Sequence, residues 1–214
     1  MKCIETKIED LKALVRCQML AFPDSLSTKL GSRFTSKMLL WYIESDRGII
    51  FHLELGGEIL GYAGGIKTAI PGLPGAATSI TQYSFGTFLT AFFLRPWLIF
   101  HPENIKRLAF ILRNIKMKFG LSPGSRNMKT EVNNGNFLPS MGLVVIGVSP
   151  EHQGKGYGSL LLREFESRAR KEGFKKIILS VRKENNQAIT AYKRNGWLIS
   201  REGPSELYMY KELD

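Results

Sequence analysis

The chain has 214 residues, of which 43% are hydrophobic, and it carries a formal net charge of +11. This length is sufficient for one domain with a full core, and no apolar run approaches the ~20 residues of a transmembrane helix, which excludes a membrane-spanning protein. Cys3 and Cys17 form no disulfide or metal-binding pattern and the amino terminus shows no secretory signal, so we expect a cytoplasmic protein.

Helical periodicity and strand-like runs predict a strand, two helices and a hairpin in the first 65 residues. A tight glycine turn at Gly56 and Gly57 joins the two strands of the hairpin. The predicted bounds, in chain order, are 1–7 for the first strand, 8–22 and 35–45 for the helices, and 49–55 and 58–65 for the hairpin strands.

A long insertion, at about residues 66–140, separates the hairpin from the next predicted strand. It contains a Pro-Gly loop at 71–75, an aromatic-rich stretch at 83–100, a helix-like run at 103–119 and a polar loop at 122–136. Residues 95–129 contain eight Lys or Arg and one acid. Three interpretations stay open: a helical subdomain with a solvated basic face, a lid that builds a substrate pocket and attracts an anion, or attachment to an anionic membrane surface.

Strands and helices alternate from residue 143 onward, with predicted bounds of 143–149, 159–172, 175–181, 187–194, 197–201 and 206–212. The strand at 143–149 is uniformly apolar, which is typical of a strand covered on both faces. Gly173 gives the helix before it a C-terminal stop. The histidines show no metal-ligand spacing, so no metal site is expected; they are His52, His101 and His152.

The most informative stretch is the glycine-rich loop between the strand at 143–149 and the helix at 159–172. Gly154, Gly156 and Gly158 allow the backbone to turn tightly and a ligand to approach its amides. The helix that follows directs its free N–H groups and its positive dipole end at the loop, an arrangement that binds phosphate. The spacing fits neither GxxxxGK[ST] nor the GxGxxG dinucleotide fingerprint.

Two motifs carry a resemblance to a known family. Gln153, Gly156 and Gly158 form the pattern Q-x-x-G-x-G after an apolar strand, which resembles the pyrophosphate loop of the GNAT superfamily of acyl-CoA-dependent N-acetyltransferases. Residues 179–197 resemble its second signature, a strand ending in V-x-x-x-N, a short helix with A-x-x-x-Y, then glycine and an aromatic. The resemblance implies an α/β (α+β) fold with a central mixed twisted sheet, in a single domain at 1–214 with the insertion at 66–140.

The resemblance also implies acetyl-CoA as cosubstrate and a set of site residues. In the superfamily the asparagine bonds to the pantetheine arm and the tyrosine lies near the thioester sulfur, positions held here by Asn185 and Tyr192. Tyr192, as a phenol of pKa ~10, is the candidate acid for the leaving thiolate. Asn185 could instead cap a helix, and Tyr192 could be a core aromatic.

The remaining cofactor contacts are expected from the backbone. The strand can offer groups at Ile146 and Val148 to the pantetheine amides, as a peptide adds to a sheet edge. The amides from Gly154 to Ser159 would then hold the pyrophosphate. The full cofactor-binding set is Ile146, Gly147, Val148, Gln153, Gly154, Lys155, Gly156, Tyr157, Gly158, Ser159 and Asn185.

The predicted function is transfer of an acetyl group to a primary amine of a small molecule by direct attack in a ternary complex. Residues 22–34 and the long insertion resemble a bacterial subgroup of the superfamily, which suggests an amino sugar as the acceptor. Ser180 stands where a branch that acetylates protein amino termini has a glutamate base, which argues against ribosomal-protein termini. The general base stays open among Glu131, Glu54 and Asp24.

A second hypothesis is a non-catalytic protein of the same fold that binds an anionic partner, nucleic acid or a membrane surface, through the basic insertion. No nucleic-acid-binding motif is visible, so no nucleic acid is expected. Peripheral membrane contact stays open, as does a homodimer formed through exposed closing strands.

Overall fold

The computed structural model describes residues 1–70, 75–94 and 138–214. The order predicted for the amino-terminal part is confirmed, with one addition: helix α2, which Ser25 caps by accepting a hydrogen bond from Thr28 N at 3.3 Å. The elements are β1 (Lys2–Glu5), a 3-10 helix (Ile8–Asp10), α1 (Leu11–Ala21), α2 (Leu26–Leu30), α3 (Ser32–Glu44), β2 (Gly48–Leu55) and β3 (Glu58–Thr68).

The carboxy-terminal elements are also those expected, with small shifts of their bounds. The helix after the glycine loop begins two residues earlier than predicted, so Gly158 lies in its first turn and not in the loop. The elements are β4 (Ser140–Val148), a 3-10 helix (Pro150–His152), α6 (Tyr157–Lys171), β5 (Lys176–Arg182), α7 (Asn186–Arg194), β6 (Leu198–Glu202) and β7 (Glu206–Glu212).

The described strands form one seven-stranded mixed sheet in the order β1-β2-β3-β4-β5-β7-β6. β4 and β5 are parallel and are joined through α6, while the other neighbours are antiparallel. A mixed sheet flanked by helices confirms the predicted fold class.

Helices cover the two faces of the sheet with separate cores. On one face α6 packs over the centre of the sheet, where Phe165 and Trp197 belong to the larger cluster of buried side chains. On the other face α1 and α3 pack over β2, β3 and part of β4, where Leu14 and Tyr62 belong to a second cluster. Each helix layer therefore has its own apolar contact with the sheet.

The prediction that the central strand is covered on both faces is wrong for its second half. Its first residues, Ser140 to Leu143, are buried, but Val144 is 43% exposed and Ile146 and Val148 are only half-buried. An apolar run indicates burial against something, but it cannot distinguish a helix from a space left for a ligand.

A β-bulge explains the change within β4. Gly64 of β3 faces Val145 and Gly65 faces Leu143, so Val144 has no partner on β3. A bulge of this kind bends the strand and increases its local twist. The pairing of β4 with β5 ends at the same place, because Leu143 is the last residue of β4 that pairs with β5.

The described part of the insertion forms helices α4 (Ala76–Tyr83) and α5 (Phe85–Leu94). Phe88 of α5 packs with Leu30 and Phe34, so this part of the insertion rests on α2 and α3. None of the described helices has the length and hydropathy that a membrane span requires.

Residues 71–74 and 95–137 lie outside the described residues. They include the predicted helix at 103–119, the polar loop at 122–136 and the basic stretch at 95–129. The three interpretations of the insertion therefore stay predictions, as does the single domain over residues 1–214.

Replacing Gly65 with alanine should lower the free energy of unfolding by about 1–3 kcal/mol. An added Cβ would lie 2.6 Å from Gly142 O and 2.7 Å from Phe165 Cε2, so β4 or α6 would have to move. Gly142→Ala on the facing strand is the matched control, because its nearest neighbour, Ile66 Cγ2, lies at 3.4 Å. Urea denaturation compares the two variants, and equal midpoints would contradict the close packing at the bulge.

Candidate active site

A gap opens in the sheet where β4 and β5 part. The two strands pair only from Met141 to Leu143 on β4 and from Ile177 to Leu179 on β5. Beyond this point the described residues place no strand beside β4, although β3 continues to pair with its other edge as far as Val148. An unpaired strand edge thus lies in the interior of the sheet.

The unpaired edge of β4 presents backbone groups of Ile146 and Val148. Ser149 N donates to Leu60 O on β3 at 3.0 Å, and hydrogen-bonded pairs alternate along an antiparallel ladder. The backbone groups of Ser149 and Gly147 therefore point to β3, while those of Ile146 and Val148 point into the gap. This is the geometry by which an extended ligand with amide groups adds to a sheet.

Gly147 has a packing reason for its lack of a side chain. A Cβ at this position would lie 2.6 Å from Cε2 of Phe22 and 3.2 Å from Cβ of Ala21, at the end of α1. The backbone of Gly147 faces β3, so of the three strand residues predicted to bind cofactor, Ile146 and Val148 are the two whose backbone reaches the gap.

The loop after β4 supplies free hydrogen-bond donors. Six consecutive backbone N–H groups, from Gly154 to Ser159, have no acceptor among the residues that the structure describes. Gly154 and Gly156 have φ angles of +75° and +81°, which glycine adopts without strain, and Gly156 is the N-cap of α6. The first-turn amides of α6 and its positive dipole end make this loop a candidate site for an anion.

Side chains around the loop leave its amides accessible. Gln153 Nε2 donates to Val148 O at 3.0 Å and so fastens the loop to the end of β4. Lys155 is exposed and forms no ion pair among the described residues, so its ammonium group can approach a phosphate. Outside the backbone of α6 itself, no atom of the described residues lies within 4 Å of a Cβ added at Gly158.

Tyr192 of α7 is a core aromatic, as its alternative interpretation proposed, and its role as an acid stays a prediction. Its ring is 9% exposed and packs against Trp197, with ring centroids 6.0 Å apart. Burial raises the pKa of Tyr192 to about 12, so the hydroxyl stays protonated at neutral pH. That hydroxyl has no hydrogen-bond partner among the described residues, which leaves its proton available to a ligand.

Asn185 caps α7, as its alternative interpretation proposed. Its Oδ1 accepts a hydrogen bond from Ala188 N at 3.1 Å. The side chain is exposed, and its amide nitrogen has no acceptor among the described residues. One half of the side chain therefore fixes the start of α7, and the other half stays free to donate.

A chain of polar contacts that the sequence did not reveal joins α6, α7 and β7. Asn195, which follows α7, donates from Nδ2 to Ser159 Oγ at 3.1 Å, in the first turn of α6. Lys211 Nζ of β7 donates to Asn195 O and to Glu166 Oε2, both at 2.8 Å. Glu166 is buried, and its Oε1 has no partner within the described part of the chain. The helix that carries Tyr192 is thereby fixed to the helix that carries the free amides.

A cleft of about 450 Å³ opens at the base of the gap, on the face of the sheet that carries α1 and α3. Val144 of β4 and Ser180 of β5 line the cleft where it meets the gap between the two strands. Neither Asp24 nor Glu54, two of the candidate bases, lines this cleft, and Glu131 lies outside the described residues. A larger cavity, of about 920 Å³, lies far from the loop, between β1, the end of α3 and the end of α6.

The fold brings one surface cluster of potential metal ligands together within the described ranges. Ligand atoms of Glu58, Glu151 and His152 lie within 4.8 Å of one another at the start of the loop. His152 Nε2 and Glu58 Oε1 are 3.4 Å apart, which makes an ion pair whenever the imidazole is protonated. Exposed acids cluster commonly without a metal, and we assign none here.

Part of the chain matches a known protein family. Residues 132–197 match the acetyltransferase (GNAT) family, a span that includes β4, the loop, α6 and α7. No curated protein sequence matches the chain significantly.

Solved structures extend the likeness to the fold of the chain. The ribosomal-protein-S18-alanine N-acetyltransferase from Escherichia coli is 14% identical, with 100% of this chain and 94% of that chain covered and a TM-score of 0.56. The PaiA N-acetyltransferase from Thermoplasma acidophilum, in complex with coenzyme A, is 14% identical, with 99% of each chain covered and a TM-score of 0.55. An acetyltransferase from Thermus thermophilus is 16% identical, with 99% of this chain and 96% of that chain covered and a TM-score of 0.57.

Replacing Lys211 with methionine should destabilise the protein by about 3 kcal/mol, because it leaves Glu166 buried without a cation. Lys183→Met is the matched control on an exposed pair, where Lys183 Nζ lies 3.2 Å from Glu202, and it should cost less than about 1 kcal/mol. Chemical denaturation measures both. Equal losses would show that Lys211 does not support the link between α6 and α7.

Proposed function

We propose that this chain, a GNAT acetyltransferase whose family domain spans residues 132–197, transfers an acetyl group from acetyl-CoA to a primary amine of a small molecule. The family match and the fold identify the acetyltransferase and its acyl donor. The choice of a small-molecule amine is our proposal. It is supported by the cleft at the base of the gap, which has the size of a small-molecule site.

One observation carries the proposal: an anion site and an open strand edge follow one another along the same segment of chain. The amides from Gly154 to Ser159 would bind the pyrophosphate. Ile146 and Val148 would bind the amide-bearing pantetheine arm. From Val148 back to Val144 the strand covers roughly 13 Å, at ~3.3 Å per residue, so the arm would lead from the loop to the base of the gap.

The acyl group would then lie where an amine can reach it. The neutral amine nitrogen forms a bond to the acetyl carbon, the carbon–sulfur bond breaks, and the thiolate leaves with the bonding electron pair. The nitrogen loses one proton to solvent, and the thiolate takes up one proton, so the products are the amide and the free thiol of coenzyme A. No cysteine lines the cleft among the described residues, and burial raises the pKa of Cys17 to about 11. A covalent intermediate on cysteine would need a thiolate. These observations support direct attack in a ternary complex.

Tyr192 would stabilise the leaving sulfur chiefly as a hydrogen-bond donor. Its pKa of about 12 exceeds that of a thiol, ~8.5, so complete proton transfer would be uphill by about 5 kcal/mol at ~1.4 kcal/mol per pKa unit. A hydrogen bond to sulfur costs no such transfer and strengthens as negative charge develops there.

The acceptor, the location and the assembly remain proposals. The resemblance of residues 22–34 to a bacterial subgroup favours an amino sugar. Two unpaired cysteines, Cys3 and Cys17, support a cytoplasmic location. The exposed edge strand β6 is the surface that a homodimer would use. The basic stretch at 95–129, on which membrane or nucleic-acid contact would depend, lies outside the described residues.

Replacing Gly158 with valine should remove most of the increase in Tm that acetyl-CoA produces. Saturation to 100 times Kd stabilises a protein by about 2.7 kcal/mol. A side chain at Gly158 would occupy the space beside the free amides, and its Cβ would have no contact with the described residues beyond α6. Differential scanning fluorimetry with and without acetyl-CoA measures the shift.

Gly86→Val is the matched control, because Gly86 is also the second residue of a helix and also has open space around it. It should keep the full shift, and both variants should fold. If Gly158→Val responds to acetyl-CoA like the parent, the anion site lies elsewhere. Gly156→Val is less informative, because its positive φ strains any side chain whether or not a ligand binds.

Tyr192→Phe should lower kcat about tenfold to a thousandfold and leave the acetyl-CoA shift intact, because it removes one donor to the leaving sulfur. Burial raises the pKa of Tyr192 to about 12, so the hydroxyl of the folded protein loses its proton only as the pH approaches that value. Rate profiles of parent and variant to pH 10 should therefore have the same alkaline shape. If the rate of the parent falls near pH 9 and the rate of the variant does not, Tyr192 loses its proton near pH 9. That result would contradict a buried, protonated Tyr192.

A further inference from the structure

The cleft at the base of the gap has a mixed lining whose polar groups come from three neighbouring strands. Apolar side chains from β4 and β5 form its wall near the gap, and polar side chains from β5, β6 and β7 form its outer part. The residues that matter for recognition are Val144, Ile178, Ser180, Ser200, Arg201 and Tyr208. Among the described lining residues Arg201 is the one charged group, and no acid is present.

A second β-bulge places Arg201 on this face. On β6 Ile199 faces Met209 and Arg201 faces Tyr208, so Ser200 is the extra residue. Met209 is buried on the α6 side of the sheet, whereas Tyr208 lines the cleft on the other side. Bulges commonly redirect a side chain next to a binding site. Without the extra residue, strand alternation would put Arg201 on the same face as Ile199.

Ser180, Tyr208 and Arg201 form a row across three strands. Ser180 of β5 is directly opposite Tyr208 of β7, and Tyr208 is directly opposite Arg201 of β6. The outer members of the row are two strand spacings apart, roughly 10 Å. The row therefore leads from the gap, where the thioester would lie, to the guanidinium group.

The guanidinium group of Arg201 lies against an aromatic ring. Its Cζ is 4.3 Å from the centroid of the Tyr208 ring, a cation–π contact, and its N–H groups form no hydrogen bond with the described residues. Arg201 forms no ion pair in the described parts of the chain, and the nearby Glu202 pairs with Lys183 at 3.2 Å. An unpaired arginine that stacks on an aromatic in a cleft is suited to bidentate binding of carboxylate or phosphate.

We infer that the acceptor is an amine that also carries an anionic group, carboxylate or phosphate, bound by Arg201 while the amine lies in the gap beside Ser180. This inference rests on the proposed acetyltransferase function and adds the substrate class. Val144 and Ile178 pack against the part of the acceptor between the two groups. The net charge of +11 favours the approach of such an anion.

Acceptor pairs that differ in one anionic group test the inference. Thiol release at saturating acetyl-CoA is measured for glucosamine and glucosamine 6-phosphate, and for an amino acid and its amide. In at least one pair the anionic member should have the higher kcat/KM by about tenfold to a hundredfold, the range of one charge-assisted hydrogen-bond pair. The two pairs also distinguish phosphate from carboxylate.

Arg201→Gln should abolish that preference mainly through KM, and Arg201→Lys should retain part of it, because lysine keeps the charge without the planar fork. Arg170→Gln is the matched control, since Arg170 is exposed on α6 and outside the cleft. All three variants should keep the acetyl-CoA shift in Tm, which shows that they are folded.

A binding measurement decides the inference even if no member of the panel is acetylated. With the cofactor site saturated by coenzyme A, millimolar inorganic phosphate should still raise the Tm of the parent but not that of Arg201→Gln. If phosphate raises the Tm of both proteins equally, or does not raise the Tm of the parent, Arg201 does not bind an anion. Either result leaves the acetyltransferase proposal in place. If coenzyme A itself does not raise the Tm of the parent, the proposed function is overturned instead.

Discussion

The separation of β4 from β5 after Leu143 creates the strand edge around which the candidate site is built. Neighbouring strands normally satisfy each other's N–H and C=O groups, and a strand without a neighbour presents them to whatever is adjacent. The bulge at Val144 ends this pairing after Leu143, in the middle of a seven-stranded sheet. The protein thus contains a strand edge that β3 borders on one side and that lies between two helix layers.

The free amides of the loop depend on the same strand and on distant contacts. Gln153 binds back to Val148, so the loop starts where the open edge ends. Asn195 and Lys211 then connect the first turn of α6 to α7 and to β7. Lys211 also pairs with the buried Glu166, and a buried carboxylate is tolerated only while its cation remains. The anion site and the helix of Tyr192 are therefore parts of one polar framework.

The two faces of the sheet divide the chemistry that we propose. Tyr192 belongs to the core on the α6 face, and burial both raises its pKa and keeps its proton in place. Arg201 and Tyr208 lie on the opposite face, where the cleft opens. Since the gap connects the faces, the leaving thiolate would be stabilised by Tyr192 from the α6 face. The incoming amine would be bound from the opposite face. Two bulges, at Val144 and Ser200, produce this division.

Four features can be read from the sequence, because each depends on residues close together in the chain: the element order, the Gly56-Gly57 hairpin, the glycine loop at the start of α6 and the motifs that match the GNAT family. The sequence could also have revealed α2 through the Ser25 cap. The separation of β4 from β5 after Leu143 is visible only in the folded chain, because an apolar run looks the same whether a helix or a ligand site covers it. The tertiary structure alone also joined Lys211 to Glu166 and placed Arg201 over Tyr208, since these contacts depend on register and on folding of distant segments.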